Sequence, residues 1–190
     1  MRILMLGNSF TSSNNLPGLL AQLTGAQVVA HTRGGARLSE QLNPHTKLGA
    51  KNRAALAGDP WNYVVLQEMS HGPVTSPKSF FASVEGLCGL IREAGAVPVL
   101  YATWAYQKGG TKLASKGWGY QDMAHKLSEA YRKAAEENQA LLANVGEAFF
   151  RWADTQPLFA ADGVHPTELG TRIAAETLAS VILQHKENRL

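Results

Sequence analysis

Five short apolar runs, each separated from the next by a stretch with helical spacing, constrain the fold of this chain more than any other feature. The runs are Arg2–Leu6, Gln27–Thr32, Tyr63–Leu66, Val97–Thr103 and Leu141–Val145. Between them, Leu16, Leu19, Leu20 and Leu23 form one helical stripe, and Phe80, Val84, Leu87 and Ile91 another. Met123, Leu127, Ala130, Tyr131 and Ala134 make a third, with Lys126, Glu129, Lys133 and Glu137 on its outer side. A last helix is predicted from Pro166 to Gln184, and both Pro77 and Pro166 suit first-turn positions. Strands joined by helix-length crossovers pair in parallel, and a parallel sheet needs both faces covered. The predicted fold is therefore α/β, a five-stranded parallel sheet between helices, in one domain spanning residues 1–190. In such sheets ligands bind outside the carboxyl ends of the strands, where strand order reverses. Ser9, Gly34 and Gly35, Gln67 to His71, and Thr103 to Tyr106 all follow predicted strands directly, so they share that rim.

The composition excludes several classes. At 190 residues the chain can bury a core without disulfides or a structural metal. Its formal charge of +3 is spread out, with no Lys and Arg run interleaved with aromatics, so no nucleic-acid partner is indicated. The single cysteine, Cys88, rules out an intrachain disulfide and a cysteine-based zinc site. Among Val84, Leu87 and Ile91 it reads as a buried, inert thiol. His31, His45, His125 and His185 show no metal-ligand spacing, and no metal or organic cofactor is expected. No apolar stretch is long enough to span a bilayer, and Met1 to Leu6 lacks the form of a leader, so the expected location is cytoplasmic.

The chemistry is concentrated at the two ends of the chain. Gly7-Asn8-Ser9-Phe10 delivers a serine at the tip of the first strand. Asp162-Gly163-Val164-His165-Pro166 sets an Asp and a His three residues apart on a late turn. A serine alone in that position more often caps the next helix. An Asp turn with His165 as a helix cap is likewise the plain reading of the second motif. Together they supply a nucleophile, a base to take its proton, and a carboxylate to fix the base's tautomer.

These motifs resemble those of the SGNH (GDSL-type) hydrolase superfamily, in the branch whose first block reads Gly-Asn-Ser-Phe/Tyr. The similarity runs through Gly7-Asn8-Ser9, Gly34-Gly35 and Asp162-Gly163-Val164-His165-Pro166, and so covers nearly the whole chain. It implies a flavodoxin-like three-layer α/β/α sandwich, the SGNH hydrolase fold. It also implies a Ser9–His165–Asp162 triad and an oxyanion hole formed by the Ser9 N–H and that of Gly34 or Gly35. The family's usual third donor is an Asn in a Gly-x-Asn-Asp motif, which is absent here. The matching region reads Val65-Leu66-Gln67-Glu68-Met69-Ser70-His71, where Gln67 is the preferred donor and His71 its rival.

The expected function is a serine esterase acting through an acyl-serine intermediate, on a short-chain acyl or carbohydrate O-acetyl ester. The long connection Ala105–Tyr120 is rich in Gly, Lys, Trp and Tyr; with Trp104 just before it, Trp104, Tyr106, Trp118 and Tyr120 can wall a substrate pocket or simply be partly buried. Trp104, Tyr106 and His71 are the candidate substrate contacts. Glu68 reads as a salt-bridged or solvated rim carboxylate, Arg33 as half of a local ion pair, and Phe149 and Trp152 as packing residues. One alternative is a flavodoxin-like protein whose Thr11-Ser12-Ser13-Asn14-Asn15 segment cradles an FMN phosphate. Another is a catalytically silent relative that binds a glycan or acyl ligand. Oligomeric state is not readable from the sequence.

Overall fold

The computed structural model describes residues 1–189. Its five strands are β1 (Arg2–Gly7), β2 (Gln27–Thr32), β3 (Tyr63–Leu66), β4 (Val97–Tyr101) and β5 (Leu141–Ala143). All pairings are parallel, in the order β2-β1-β3-β4-β5. After β1 come the short helix α1 (Ser9–Ser12), a 3-10 turn (Ser13–Asn15) and α2 (Leu16–Thr24). Helices α3 (Leu38–Leu42) and α4 (Lys47–Gly58) link β2 to β3, and α5 (Gly72–Thr75) and α6 (Pro77–Glu93) link β3 to β4. The remaining helices are α7 (Thr111–Ser115), α8 (Tyr120–Glu137), α9 (Val145–Trp152) and α10 (Glu168–Glu187).

Strand order explains how the layers form. The chain steps one way from β1 to β2, then reverses across β1 to reach β3 and continues to β5. With right-handed crossovers, that reversal sends α2 to one face and the later crossover helices to the other. Accordingly α2 packs against α10, whereas α4, α3, α6 and α8 touch one another in series. The β1 and β3 strands, buried from Ile3 to Leu6 and from Tyr63 to Leu66, lie at the centre of one apolar core. The reversal point falls between the carboxyl ends of β1 and β3, where a site is expected in an open sheet. Ser9 leaves one of those ends and Gln67 the other.

Local chemistry moves several predicted boundaries. The fifth strand stops at Ala143 rather than Val145, because the Asn144 side chain caps α9 by accepting from Glu147 N–H at 3.4 Å. The fourth strand ends at Tyr101, and Thr103 lies beyond it. Pro166 is not a first-turn residue. It bridges to Phe159, and Thr167 caps α10 by accepting from Gly170 N–H at 3.2 Å. Pro77 does open α6. The Ala105–Tyr120 connection is not structureless, since it contains α7. Cys88 is buried, and burial pushes its thiol pKa up to about 11. No helix among the described residues is long and apolar enough to cross a membrane.

Candidate active site

The first strand ends in a close approach. A Cβ on Gly7 would lie 2.3 Å from Thr11 Oγ1 and 2.7 Å from Gln67 Oε1, so only glycine fits there. Asn8 then fixes the next three residues. Its N–H donates to Gln67 Oε1 at 3.0 Å, and its Oδ1 accepts from Phe10 N–H at 3.1 Å. The amides on both sides of Ser9 are thus engaged, while Ser9 N–H has no protein acceptor among the described residues. Asn8 Nδ2 also donates to Ala36 O at 3.1 Å, which ties the glycine turn to the serine. That turn closes through Ala36 N–H and Arg33 O at 3.0 Å, with Gly35 at φ 68°, a conformation that favours glycine. The N–H groups of Gly34 and Gly35 likewise have no protein acceptor among the described residues.

The two ends of the chain meet here. Ser9 Oγ lies 2.9 Å from His165 Nε2, and His165 Nδ1 lies 2.5 Å from Asp162 Oδ2. Asp162 Oδ1 accepts from the N–H groups of Val164 and His165, both at 2.9 Å. The carboxylate therefore holds the turn and the ring together. It places the ring proton on Nδ1 and leaves Nε2 to accept from Ser9. A hydroxyl so placed can pass its proton to the ring as it attacks an electrophile.

Two side chains bracket His165, and sequence reasoning gave neither that role. Asn14, in the left-handed region at φ 48°, donates through Nδ2 to Pro166 O at 3.0 Å and to Thr171 Oγ1 at 2.9 Å. Trp104 donates through Nε1 to Val164 O at 3.0 Å. The Trp104 ring is stacked between Phe10, at 4.5 Å, and Phe149, at 4.0 Å, and Phe10 meets the His165 ring edge-on at 5.5 Å. Trp104 thus joins the residue after Ser9 to the residue before His165. The only sequence signal was the Asn14-Asn15 pair ahead of Leu16-Pro17, since Asn tolerates the left-handed region.

Several expected contacts are corrected. Trp104 and Tyr106, at 1% and 2% exposure, are buried and offer no wall to the surface around Ser9 and His165. Tyr106 spends its hydroxyl on Ser70 Oγ, 2.9 Å away. Gln67 is fully buried beneath the site. Its Oε1 accepts from Asn8 N–H and from Thr11 Oγ1, and its Nε2 donates to Glu68 O. Those bonds turn its amide away from the surface, which removes Gln67 as an oxyanion donor. Glu68 is neither solvated nor salt-bridged: its carboxylate accepts from Met69 N–H at 2.7 Å and Leu38 N–H at 3.1 Å. Burial raises its pKa despite those donors and nearby Arg37.

His71 remains at the rim, partly exposed, with its ring 6.3 Å from Tyr106 and 5.8 Å from Trp118. Arg33 pairs with Glu40 as expected. Phe149 packs fully, but Trp152 is largely exposed. In the segment weighed as an FMN phosphate cradle, Thr11 donates to Gln67 and Ser13 Oγ to Ser9 O at 2.6 Å, so those hydroxyls face inward. A cavity of about 300 Å³ between α8 and α9 is lined by Trp104, Gln121, His125, Asn144, Glu147 and Phe150. Neither Ser9 nor His165 reaches it.

Electrostatics favour a charged Asp162. Burial, the largest single influence, raises its pKa, but hydrogen bonds from the His165 ring and from the Val164 and His165 amides outweigh it and hold the carboxyl near about 2. A depressed folded-state pKa contributes stability above the unfolded value of roughly 4, and that contribution is lost as pH falls through 2. The melting temperatures of the native chain and Asp162→Asn should therefore differ fully at about pH 5 and above and converge toward pH 2. A gap that widens on acidification would contradict this.

No family model matches the chain, and no curated protein matches it. Solved structures do. A protein from Slackia heliotrinireducens, assigned to the SGNH hydrolases, is 50% identical, with a TM-score of 0.92 over 96% of this chain and 98% of its own. A DUF4886 family protein from Bacteroides uniformis is 21% identical, with a TM-score of 0.73 over 97% of this chain and 83% of its own. A point mutant of a Geobacillus acetyl-xylooligosaccharide esterase shares the fold at 15% identity, with a TM-score of 0.70 over 95% and 93% of the two chains.

Proposed function

We propose that this chain, which belongs to the SGNH hydrolase family, is a serine esterase in which Ser9 is the nucleophile, His165 the general base and acid, and Asp162 the group that orients and charge-balances the base. One observation carries the reading: the continuous hydrogen-bonded series from Ser9 Oγ through His165 to Asp162, beside a Ser9 N–H with no protein acceptor. As Ser9 Oγ bonds to the ester carbon, its proton passes to His165 Nε2 and the carbonyl electron pair moves onto oxygen. The N–H groups of Ser9 and of Gly34 or Gly35 stabilise that oxyanion. Collapse expels the alcohol, which leaves with the proton from His165. A water molecule repeats the sequence on the acyl-serine, and Ser9 is regenerated.

The acyl group is short. The His165 and Asp162 side chains are 38% and 50% exposed, so the reacting centre is an open surface rather than an enclosed apolar channel. Phe10 and Trp104 already fill the space beneath it. A fluorophosphonate probe should label Ser9, and 4-nitrophenyl esters should turn over fastest at two or three acyl carbons. Absence of labelling would leave a binder without turnover, and preference for long acyl chains would overturn the short-acyl assignment.

A further inference from the structure

The rim beside the proposed centre carries cations that have no carboxylate partner among the described residues. From Ala94 to Gln121 the chain contains Lys108, Lys112 and Lys116 and no carboxylate. Lys108 pairs with Asp154 at 3.2 Å. Lys112, on α7, and Lys116, just after it, are exposed and have no carboxylate within 4 Å among the described residues. Arg37 also lacks one; its Nη1 lies 3.3 Å from Ser76 Oγ, at the end of the short helix that begins after His71. Elsewhere several cations are paired, Lys126 with Asp122, Arg132 with Glu136, Arg151 with Glu147 and Arg172 with Glu176, whereas others, such as Lys47, Lys51 and Arg53 on α4, are exposed without a carboxylate partner among the described residues. What sets Arg37, Lys112 and Lys116 apart is the ledge they share beside the proposed centre, not the lack of a partner alone.

These cations gather round an aromatic ledge. Lys116 Nζ lies 5.8 Å from the centre of the half-buried Trp118 ring, and that ring meets His71 at 5.8 Å. His71 meets Tyr106 at 6.3 Å. The ledge adjoins the proposed reaction centre on two sides. Gln107, next to Tyr106, donates its N–H to Gly163 O at 2.8 Å, inside the Asp162–His165 turn. Arg37 stands two residues after Gly35 of the proposed oxyanion turn. Lys112 lies one helical turn before Lys116, and burial, then the fields of Lys116, Arg37 and Lys112, lower the His71 pKa. The carboxylates nearby are committed: Glu68 lies buried under Met69 and Leu38 N–H groups, and Asp162 serves His165.

We propose that Arg37, Lys112 and Lys116, with the His71–Trp118 ledge, form a carboxylate-recognising subsite, so that the preferred ester bears its anionic group on the alcohol portion. The inference rests on the esterase reading for the ester itself but not for anion binding. The short acyl group occupies Ser9 and the glycine turn, which leaves the alcohol to extend over the ledge. Ring or sugar carbon packs on Trp118 while the carboxylate meets the three cations.

The test uses a matched pair, 4-acetoxybenzoate and 4-acetoxybenzamide, each kcat/KM divided by that ester's alkaline hydrolysis rate. The benzoate should be preferred by about tenfold or more at low salt, and the preference should shrink as ionic strength rises to about 0.5 M. In the double variant Lys112→Ala/Lys116→Ala the ratio should approach one, whereas Lys51→Ala on α4 should leave it unchanged. Calorimetry on Ser9→Ala should show binding of 4-hydroxybenzoate but not 4-hydroxybenzamide. Hydrolysis with no discrimination, or discrimination that survives the double variant, overturns the subsite alone. Selective binding without hydrolysis of either ester overturns the esterase reading and leaves the subsite standing. Absence of both overturns both.

Discussion

Replacing Ser9 with alanine is expected to lower kcat for a short-chain ester by a factor on the order of 10⁴ or more. The folded state should scarcely change. The Ser9 hydroxyl makes one hydrogen bond, to His165 Nε2, and the bond from Ser13 Oγ reaches the backbone oxygen of residue 9, which alanine retains. A hydroxyl removed from a partly exposed position costs about 0.5 kcal/mol or less. Activity and stability should therefore separate cleanly. His165→Ala should cost about as much, and the double variant no more than either single one, because a nucleophile and its base act as one unit. If the two losses multiplied, or if Ser9→Ala kept activity within about tenfold of the native chain, the hydroxyl would not be the attacking group.

The readable parts of this site share a physical property: each depends on a short local pattern. Buried strands such as Tyr63–Leu66 appear as continuous apolar runs, and their alternation with amphipathic helices leaves few topologies. Asp162 and His165 are close in sequence, so a turn brings them together whatever else the chain does. Gln67 was misread for the opposite reason. Its direction is decided by Asn8 N–H and Thr11 Oγ1, which need a buried acceptor and lie far from it in sequence. Glu68 was misread in the same way: the amides it serves include Leu38 N–H, on another crossover. Lys112 and Lys116 were visible as residues, but their lack of partners emerges only once every carboxylate has been placed.

Trp104 carries the second large effect. Trp104→Ala should destabilise the protein by about 3–5 kcal/mol, since it empties a stack closed on both faces by Phe10 and Phe149. For a chain of this size that corresponds to a fall in Tm of roughly 6–20 °C. It should also impair turnover in protein that is still folded. The lost stack frees Phe10, which rests against the His165 ring, and the lost Nε1–H releases Val164 O. A displacement of about 1 Å between Ser9 and His165 costs on the order of 10²-fold in rate. Trp104→Phe separates these contributions. It keeps an aromatic ring between Phe10 and Phe149 but cannot donate to Val164 O, so it should recover most of the packing and lose about 1–3 kcal/mol for the unpaired carbonyl. In both variants kcat should fall while KM for a short neutral ester stays within about threefold, because both faces of the Trp104 ring are covered by Phe10 and Phe149 and it does not reach the surface around Ser9. A rise in KM matching the loss in kcat would make Trp104 a substrate contact and would overturn the assignment of the residues that brace His165.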